Sequence, residues 1–294
     1  MNASPPSPSP SHSGPWVFLN GAFVPEAGAR VSVFDRSFLL GDGLFETVRV
    51  VNSRPFLWTE HLARLRFGLH HLRIQIPYSD AELTDAAHES ISRNGFAGAV
   101  LRLHVSRGRG ARGYSPHGAT DPTVVITLHA LDDTSRTLPA PWRLITSSVR
   151  VIAGDPLSAM KTASKLPNII ARMEAEDAGV EEALLLNSRG DVAETASSNI
   201  FWVENDDLLT PPLVAGALAG VTRGFVFRLC LDLNLAVQEA TCPTSRLIAS
   251  DGVFLTVSTL GIVGVTSLDG HPLALSPLIG RLQAAYGEAL QQSV

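Results

Sequence analysis

The sequence predicts an α+β protein built from two units. Three observations carry this. Runs that alternate polar and apolar residues stand beside runs with helical spacing in both halves. Asp132–Trp142, DDTSRTLPAPW, is a polar, proline-containing break near the middle. The 294 residues are 45% hydrophobic and 17% charged, a composition that fills a real core. The chain then divides into a tail at 1–14, a smaller unit at 15–131, a linker at 132–142 and a larger unit at 143–294.

The opening MNASPPSPSPSHSG is rich in Pro and Ser, has no basic start or apolar middle, and reads as a disordered tail rather than a secretion signal. Val17–Leu19 and Ala22–Val24 flank Asn20-Gly21, the signature of a tight hairpin. Leu44–Val51 is apolar and β-branched, hence a strand, and Arg54–Leu57 begins a paired one. Thr59–Leu72 has helical spacing with Thr59 as N-cap. Ser79–Asn94 is a second helix capped by Ser79 or Asp80. Val100–Ser106 and Thr123–Leu128 are strands around a glycine-rich loop.

Past the linker, Arg143–Val151 is a strand. Pro167–Ala178 is a helix with proline in its first turn and Gly179 at its end. Ala183–Leu186, a turn at Ser188–Gly190, and Asn199–Val203 give further strands. Thr222–Leu233 is a helix, Gly252–Ser258 a strand, and Pro277–Gln292 the closing helix.

Composition also limits function. A net charge of −5 offers no electrostatic footprint for nucleic acid or an anionic membrane. No apolar run is long enough for a spanning helix. Cys230 and Cys242 alone make neither a disulfide framework nor a metal-ligand pattern, which suits a reducing cytoplasm. Nine histidines are present without HExxH-type spacing, so no metal site is expected.

Of 23 basic residues, only Lys161 and Lys165 are lysines. A surface cation can be Arg or Lys; a nucleophilic amine cannot be Arg, because guanidinium keeps its proton. A chain that has nearly purged lysine therefore directs attention to those that remain, although both could be ordinary surface residues. Lys161 follows a loop and precedes a helix, where a side chain can project into a cleft. Glu194, in DVAETASSNIFW, falls at a strand edge. Gly216–Thr222, GALAGVT, leads into a helix N-terminus, a ready anion site. Thr256–Thr259 ends a strand with hydroxyls. Singly, none of these is specific.

Together, FLNGAFV, FDRSFLLGDGLFETVRV, EHLARL, SRGRGARGY, MKTASKLPNIIARMEAEDAGVEEALLLNSRGDVAETASSNIFW and GALAGVTR resemble the class IV (fold type IV) pyridoxal 5′-phosphate (PLP) enzymes. These comprise the D-amino-acid and branched-chain aminotransferases and the aminodeoxychorismate lyases. The resemblance runs in order over roughly residues 17–265. It implies a two-domain α+β fold: a smaller N-terminal α/β domain and a larger C-terminal PLP-binding domain with a β-barrel-like core.

The resemblance also implies roles. Lys161 matches the Schiff-base lysine and general base; Lys165 matches no required residue. Glu194 matches the acid on the pyridine nitrogen. Arg64, Ser198, Val221, Thr222, Ser258 and Thr259 match cofactor-binding positions, chiefly around the phosphate. Arg112 matches the substrate-carboxylate arginine, with Tyr114 near it, and Phe45 and Thr47 line the substrate pocket. The expected reaction moves an amino group between a D-amino acid or branched-chain α-amino acid and a 2-oxo acid, in a cytoplasmic homodimer with the site at the interface. SRGRGARGYS and Thr47 sit closer to the lyases, and TASKLPNIIAR closer to the transaminases. Ala196 stands where many transaminases have glycine. Aminodeoxychorismate lyase is the alternative activity.

Overall fold

The structure, a computed structural model, describes residues 14–131 and 138–292; most of the expected tail and residues 132–137 of the expected linker lie outside them. The chain opens with the hairpin β1 (Trp16–Leu19) and β2 (Ala22–Pro25) across Asn20-Gly21. Both turn residues have positive φ, at 47° and 88°, which is what a primed two-residue turn demands. A short helix α1 (Arg36–Leu40), missed in the sequence, leads into β3 (Gly43–Val51) and β4 (Arg54–Pro55). Helices α2 (Trp58–Leu72) and α3 (Asp80–Asn94) follow, then β5 (Ala99–Arg109) and β6 (Asp121–Ala130). The six strands form one sheet in the order β2-β1-β6-β5-β3-β4.

One face of this sheet is covered by the two helices. Leu62, Leu65 and Leu69 of α2 and Leu83, Ala87 and Ile91 of α3 pack on Val48, Leu101, Leu103 and Ile126. Of the two caps expected for α3, Ser79 is the one used, and Glu82 returns the bond: Ser79 Oγ accepts from Glu82 N at 3.2 Å and Glu82 accepts from Ser79 N at 2.8 Å. Thr59 is not the cap of α2. That helix starts one residue earlier, after Leu57 in left-handed conformation with no side-chain cap. Tertiary packing sets this start: Trp58 is buried and its Nε1 donates to Thr84 Oγ1 at 2.8 Å.

The second unit begins at β7 (Trp142–Val151), followed by α4 (Leu166–Asp177), β8 (Glu182–Asn187), β9 (Val192–Thr195), β10 (Asn199–Glu204) and β11 (Asp207–Thr210). Then come α5 (Val221–Asp232), β12 (Val237–Glu239), α6 (Thr244–Ile248), β13 (Gly252–Val257), β14 (Gly261–Leu268), β15 (His271–Pro272) and α7 (Pro277–Gln292). The strand order is β12-β11-β10-β13-β14-β7-β8-β9, with β15 on β14.

That order forces curvature. β9 is an edge strand, yet only residues 196–198 separate it from β10, five strands away in the sheet. Three residues span about 10 Å at most, so the edge must curl back toward β10. Burial shows the result. Ile200, Trp202, Val253, Leu255, Val263, Leu144 and Leu184 form one interior cluster. The alternate residues Phe201, Val203 and Phe254 face outward onto Val226 of α5 and Leu282 and Tyr286 of α7. With both faces buried, these strands read as continuous apolar runs such as NIFWV. Among the described residues, no helix is long and apolar enough to cross a membrane.

Candidate active site

Lys161 lies on a stretch that adds itself to the open side of β3. Phe45 N donates to Lys161 O at 3.0 Å and Ala163 N to Gly43 O at 2.8 Å. Leu44 and Thr162 form an antiparallel bridge. The preceding Met160 is buried in the core of the first unit, and burying such a side chain is worth about 1.5–3 kcal/mol. Lys161 is thus fastened to the first sheet although its sequence belongs to the second unit. Its Nζ sits 4.9 Å from the centre of the Phe45 ring. Burial pulls the amine down to about 8, the Arg64 charge adds to this, and Glu46 and Glu194 oppose it.

Glu194 lies near the end of β9 and is half-buried. Its Oε2 accepts from Leu218 N at 2.9 Å and faces Asn199 Nδ2 at 3.5 Å. Burial pushes this carboxyl up to about 7, against the pull of the Leu218 N–H and of the Lys165, Lys161 and Arg64 charges. The turn that carries it is held from two sides. Asn168 of α4 donates to Ala196 O at 2.8 Å, and the buried Glu182 accepts from Ser197. The Ser198 hydroxyl is paired with Thr195 Oγ1 at 2.6 Å, so within this chain it shapes the turn. Lys165 shares the neighbourhood: burial lowers its ammonium, and Glu194 and Arg64 act on it in opposite directions.

Arg64 is held rigidly. Its Nε and Nη2 reach the two oxygens of Glu46 at 2.8 and 2.5 Å, and His61 Nδ1 meets Glu46 Oε2 at 2.7 Å. Burial alone would raise the Glu46 carboxyl; the Arg64 and His61 hydrogen bonds outweigh it and hold the group below its ordinary value. Burial likewise depresses His61, against the pull of Glu46. Nη1 of Arg64 donates to Ala219 O at 3.0 Å, which brings the guanidinium to the loop that leads into α5.

These residues suit a phosphorylated pyridine. α5 starts at Gly220 with no side-chain cap, so the backbone N–H groups of its first turn, at Val221 and Thr222, are free of a side-chain acceptor and available to an anion. A Cβ on Gly220 would stand 1.9 Å from Asn199 Oδ1 and so displace that amide, whose Nδ2 donates to Leu218 O at 2.8 Å. Thr256 pairs with Asn199 across β13 and β10, hence shares its face, and its buried hydroxyl has no hydrogen-bond partner among the described residues. An orphaned buried hydroxyl beside an uncapped helix start is an arrangement that a phosphate ester satisfies. Ser258 and Thr259 form the turn just beyond it, both half-buried. Thr256 was legible as part of the hydroxyl run but was not singled out.

Phe45 and Thr47, expected to line a substrate pocket, share a face of β3 opposite the helices. The cross-strand partner of Thr47 is Arg102, which the sequence reading missed. Its Cζ lies 3.9 Å from the Phe45 ring centre, and it makes no ion pair among the described residues. Burial lowers its guanidinium pKa. Arg112 and Tyr114 are not gathered at Lys161 within this chain. They occupy the exposed tip of the β5–β6 loop, with Tyr114 87% exposed.

Comparison with known proteins places these observations in a wider setting. The sequence profile of the family described as amino-transferase class IV matches residues 43–268. A Methanocaldococcus jannaschii protein, provisionally named a branched-chain-amino-acid aminotransferase, is 36% identical over 263 residues, 87% of this chain and 88% of that protein. The D-alanine aminotransferase of Bacillus licheniformis is 29% identical over 287 residues, 95% of this chain and 96% of its own. Among solved structures, a T.th. branched-chain amino acid aminotransferase complexed with N-(5′-phosphopyridoxyl)-L-glutamate superposes with a TM-score of 0.89. It is 30% identical, and the match covers 96% of each chain.

Proposed function

The chain belongs to the class IV aminotransferase family, and on that premise we propose that it is a PLP-dependent aminotransferase acting between a D-amino acid or branched-chain α-amino acid and a 2-oxo acid. The observation that carries this is that Arg64 and Glu194 both bond the residues just before an uncapped helix start, at Ala219 O and Leu218 N, with the buried Lys161 amine within reach of their charges. When bound, the pyridine ring supplies an electron sink for the electrons of the substrate Cα–H bond.

Lys161 would hold the cofactor through its amine and, with that amine free, would take the substrate's α-proton at Nζ. An amine near neutrality suits both tasks. Glu194 holds the proton of the ring nitrogen; its carboxyl, pushed up by burial, has a large drop available on meeting a cation. Val221, Thr222, Arg64, Ser258 and Thr259 receive the phosphate, with Thr256 added here. Phe45, its ring centre 4.9 Å from Lys161 Nζ, would keep water from that side of the amine. Arg102, a cation without an acid partner among the described residues, favours substrates that carry a second carboxylate.

The active form is a homodimer with its site at the interface. The exposed side chains of Val31, Val33, Phe34, Phe38, Leu39 and Leu40 support this reading, as does the outward position of Arg112 and Tyr114, which would then serve the partner's site. A cytoplasmic location is supported by two free, buried cysteines whose thiols burial raises to about 11 and 12. The loop around Arg112 resembles that of the lyases, so aminodeoxychorismate is run beside the amino acids.

The test combines colour, trapping and products. The purified protein should be yellow with PLP, and borohydride followed by peptide mass analysis should label Lys161. D- or L-amino acids should be converted to 2-oxo acids without pyruvate release from aminodeoxychorismate. A label on Lys165, or pyruvate released from aminodeoxychorismate with no amino acid converted, would overturn the assignment. Sedimentation of the active protein as a monomer would remove the dimer.

A further inference from the structure

We propose that Arg36 is a positioning residue for the substrate carboxylate: it clamps three successive carbonyls of the β5–β6 loop and so fixes where Arg112 and Tyr114 stand. This rests on the carboxylate role given to Arg112 above. Arg36 Nη1 donates to Gly113 O and Ser115 O, both at 3.1 Å, and Nη2 donates to Tyr114 O at 3.0 Å. Its remaining edge is used as well, with Nε on Asp42 Oδ2 at 2.8 Å.

The loop tip has little else to hold it. Residues 111–118 are exposed throughout, whereas Arg36 beneath them is only 3% exposed. Three peptide oxygens converging on one point repel one another unless a cation stands between them. The fixed planar fork of a guanidinium meets all three and an acid at once; a lysine ammonium has only three donors and no such plane. The stem of Arg36 is packed too, since a Cβ on Gly110 would come within 2.8 Å of its Cδ.

The clamp is tied back into the fold. Asp42 also accepts from Arg107 Nε at 2.8 Å, and Arg107 Nη2 donates to Leu72 O at 2.9 Å at the end of α2. Burial would raise the Asp42 carboxyl, but its hydrogen bonds to Arg107 and Arg36 win and keep it below its ordinary value. Asp35 anchors the start of α1 by accepting from Ser37 N at 2.8 Å, from Ser106 Oγ and from Thr123 Oγ1 at 2.7 Å. The tip thus takes its position from α1, β5 and α2 through one side chain.

A group that positions a binding residue shows itself in substrate affinity. Misplacing such a residue by about 1 Å costs on the order of a hundredfold. Arg36→Lys in the PLP-loaded protein should therefore raise the KM for amino acids by about ten- to a hundredfold. The limiting rate and the PLP affinity should stay within about threefold, since neither uses the loop. In an Arg112→Ala background the same substitution should add less than about twofold, because its effect runs through Arg112. Asp42→Asn, which loosens the clamp without removing it, should show a smaller rise in KM alone, and thermal midpoints report on folding of each variant.

Full additivity of Arg36→Lys with Arg112→Ala, or a loss confined to kcat or thermal midpoint in both Arg36→Lys and Asp42→Asn, would overturn the positioning role. An unchanged KM in Arg112→Ala alone would instead remove the carboxylate role, and the inference with it.

Discussion

Replacing Glu46 with glutamine tests whether the charge that seats Arg64 is structural as well as functional. Glu46 is 1% exposed and meets two partners that are themselves buried, Arg64 and His61. Removing one member of a buried ion pair costs about 3–5 kcal/mol, because the other charge is left unpaired. Glutamine keeps the shape and one acceptor oxygen, so the expected loss is about 2–3 kcal/mol. For a chain of this size that corresponds to roughly 3–5 °C in Tm.

The acid limb gives the sign. Glu46 has a folded pKa below its ordinary 4.5, so its contribution is fully present above that value and is lost as pH falls through the folded one. The gap in Tm between wild type and Glu46→Gln should therefore be widest near neutrality and close as the pH drops below about 4.5. Calorimetry of the cofactor-free protein at one fixed concentration measures both quantities. A gap under about 2 °C at pH 7, or one that stays constant down to about pH 3, would refute the electrostatic account of this triad.

In cofactor-free protein, the rate of PLP attachment should rise with pH through about 8, because only the neutral amine of Lys161 attacks; a midpoint at the ordinary lysine value of 10.5 in stopped-flow absorbance would contradict its burial. Gly220→Ala pushes a methyl group against Asn199 and so disturbs the start of α5; the Kd for PLP, read by fluorescence titration, should rise roughly tenfold or more, and an unchanged Kd would count against the phosphate reading. Arg102→Leu should raise KM for substrates with a second carboxylate by about ten- to a hundredfold, the value of a lost charge-assisted hydrogen bond. Apolar amino acids should be affected far less, and equal loss on both classes would exclude a role in reading the side chain.

Most regular elements were legible in the sequence because their signals are local: Asn20-Gly21 between short strands, Ser79-Asp80 at the head of a helical run, Pro167 ahead of Gly179. The misses have a common cause. Leu57 precedes α2 without a capping side chain, and Trp58 joins the helix because of a bond to Thr84 in another helix. Arg102 reads as one more polar residue in an alternating strand; only the register that pairs it with Thr47 brings it to Phe45. His61 and Arg64 share a helix face by spacing, yet their partner Glu46 becomes visible only when β3 packs beneath α2. The lysines show the limit from the other side: composition singled out both, and their surroundings alone leave both beside Glu194.

The way the Lys161 stretch is sewn onto β3 has a mechanical consequence. The amine travels with the first sheet, through Phe45, Gly43 and Met160, while Glu194 and the start of α5 travel with the curled sheet. With PLP seated as proposed, the two ends of its ring would be gripped by different bodies. Any sliding of one body on the other would then stretch or shorten that grip, so a bound cofactor would act as a strut between them, with its tension carried to the link proposed at Lys161.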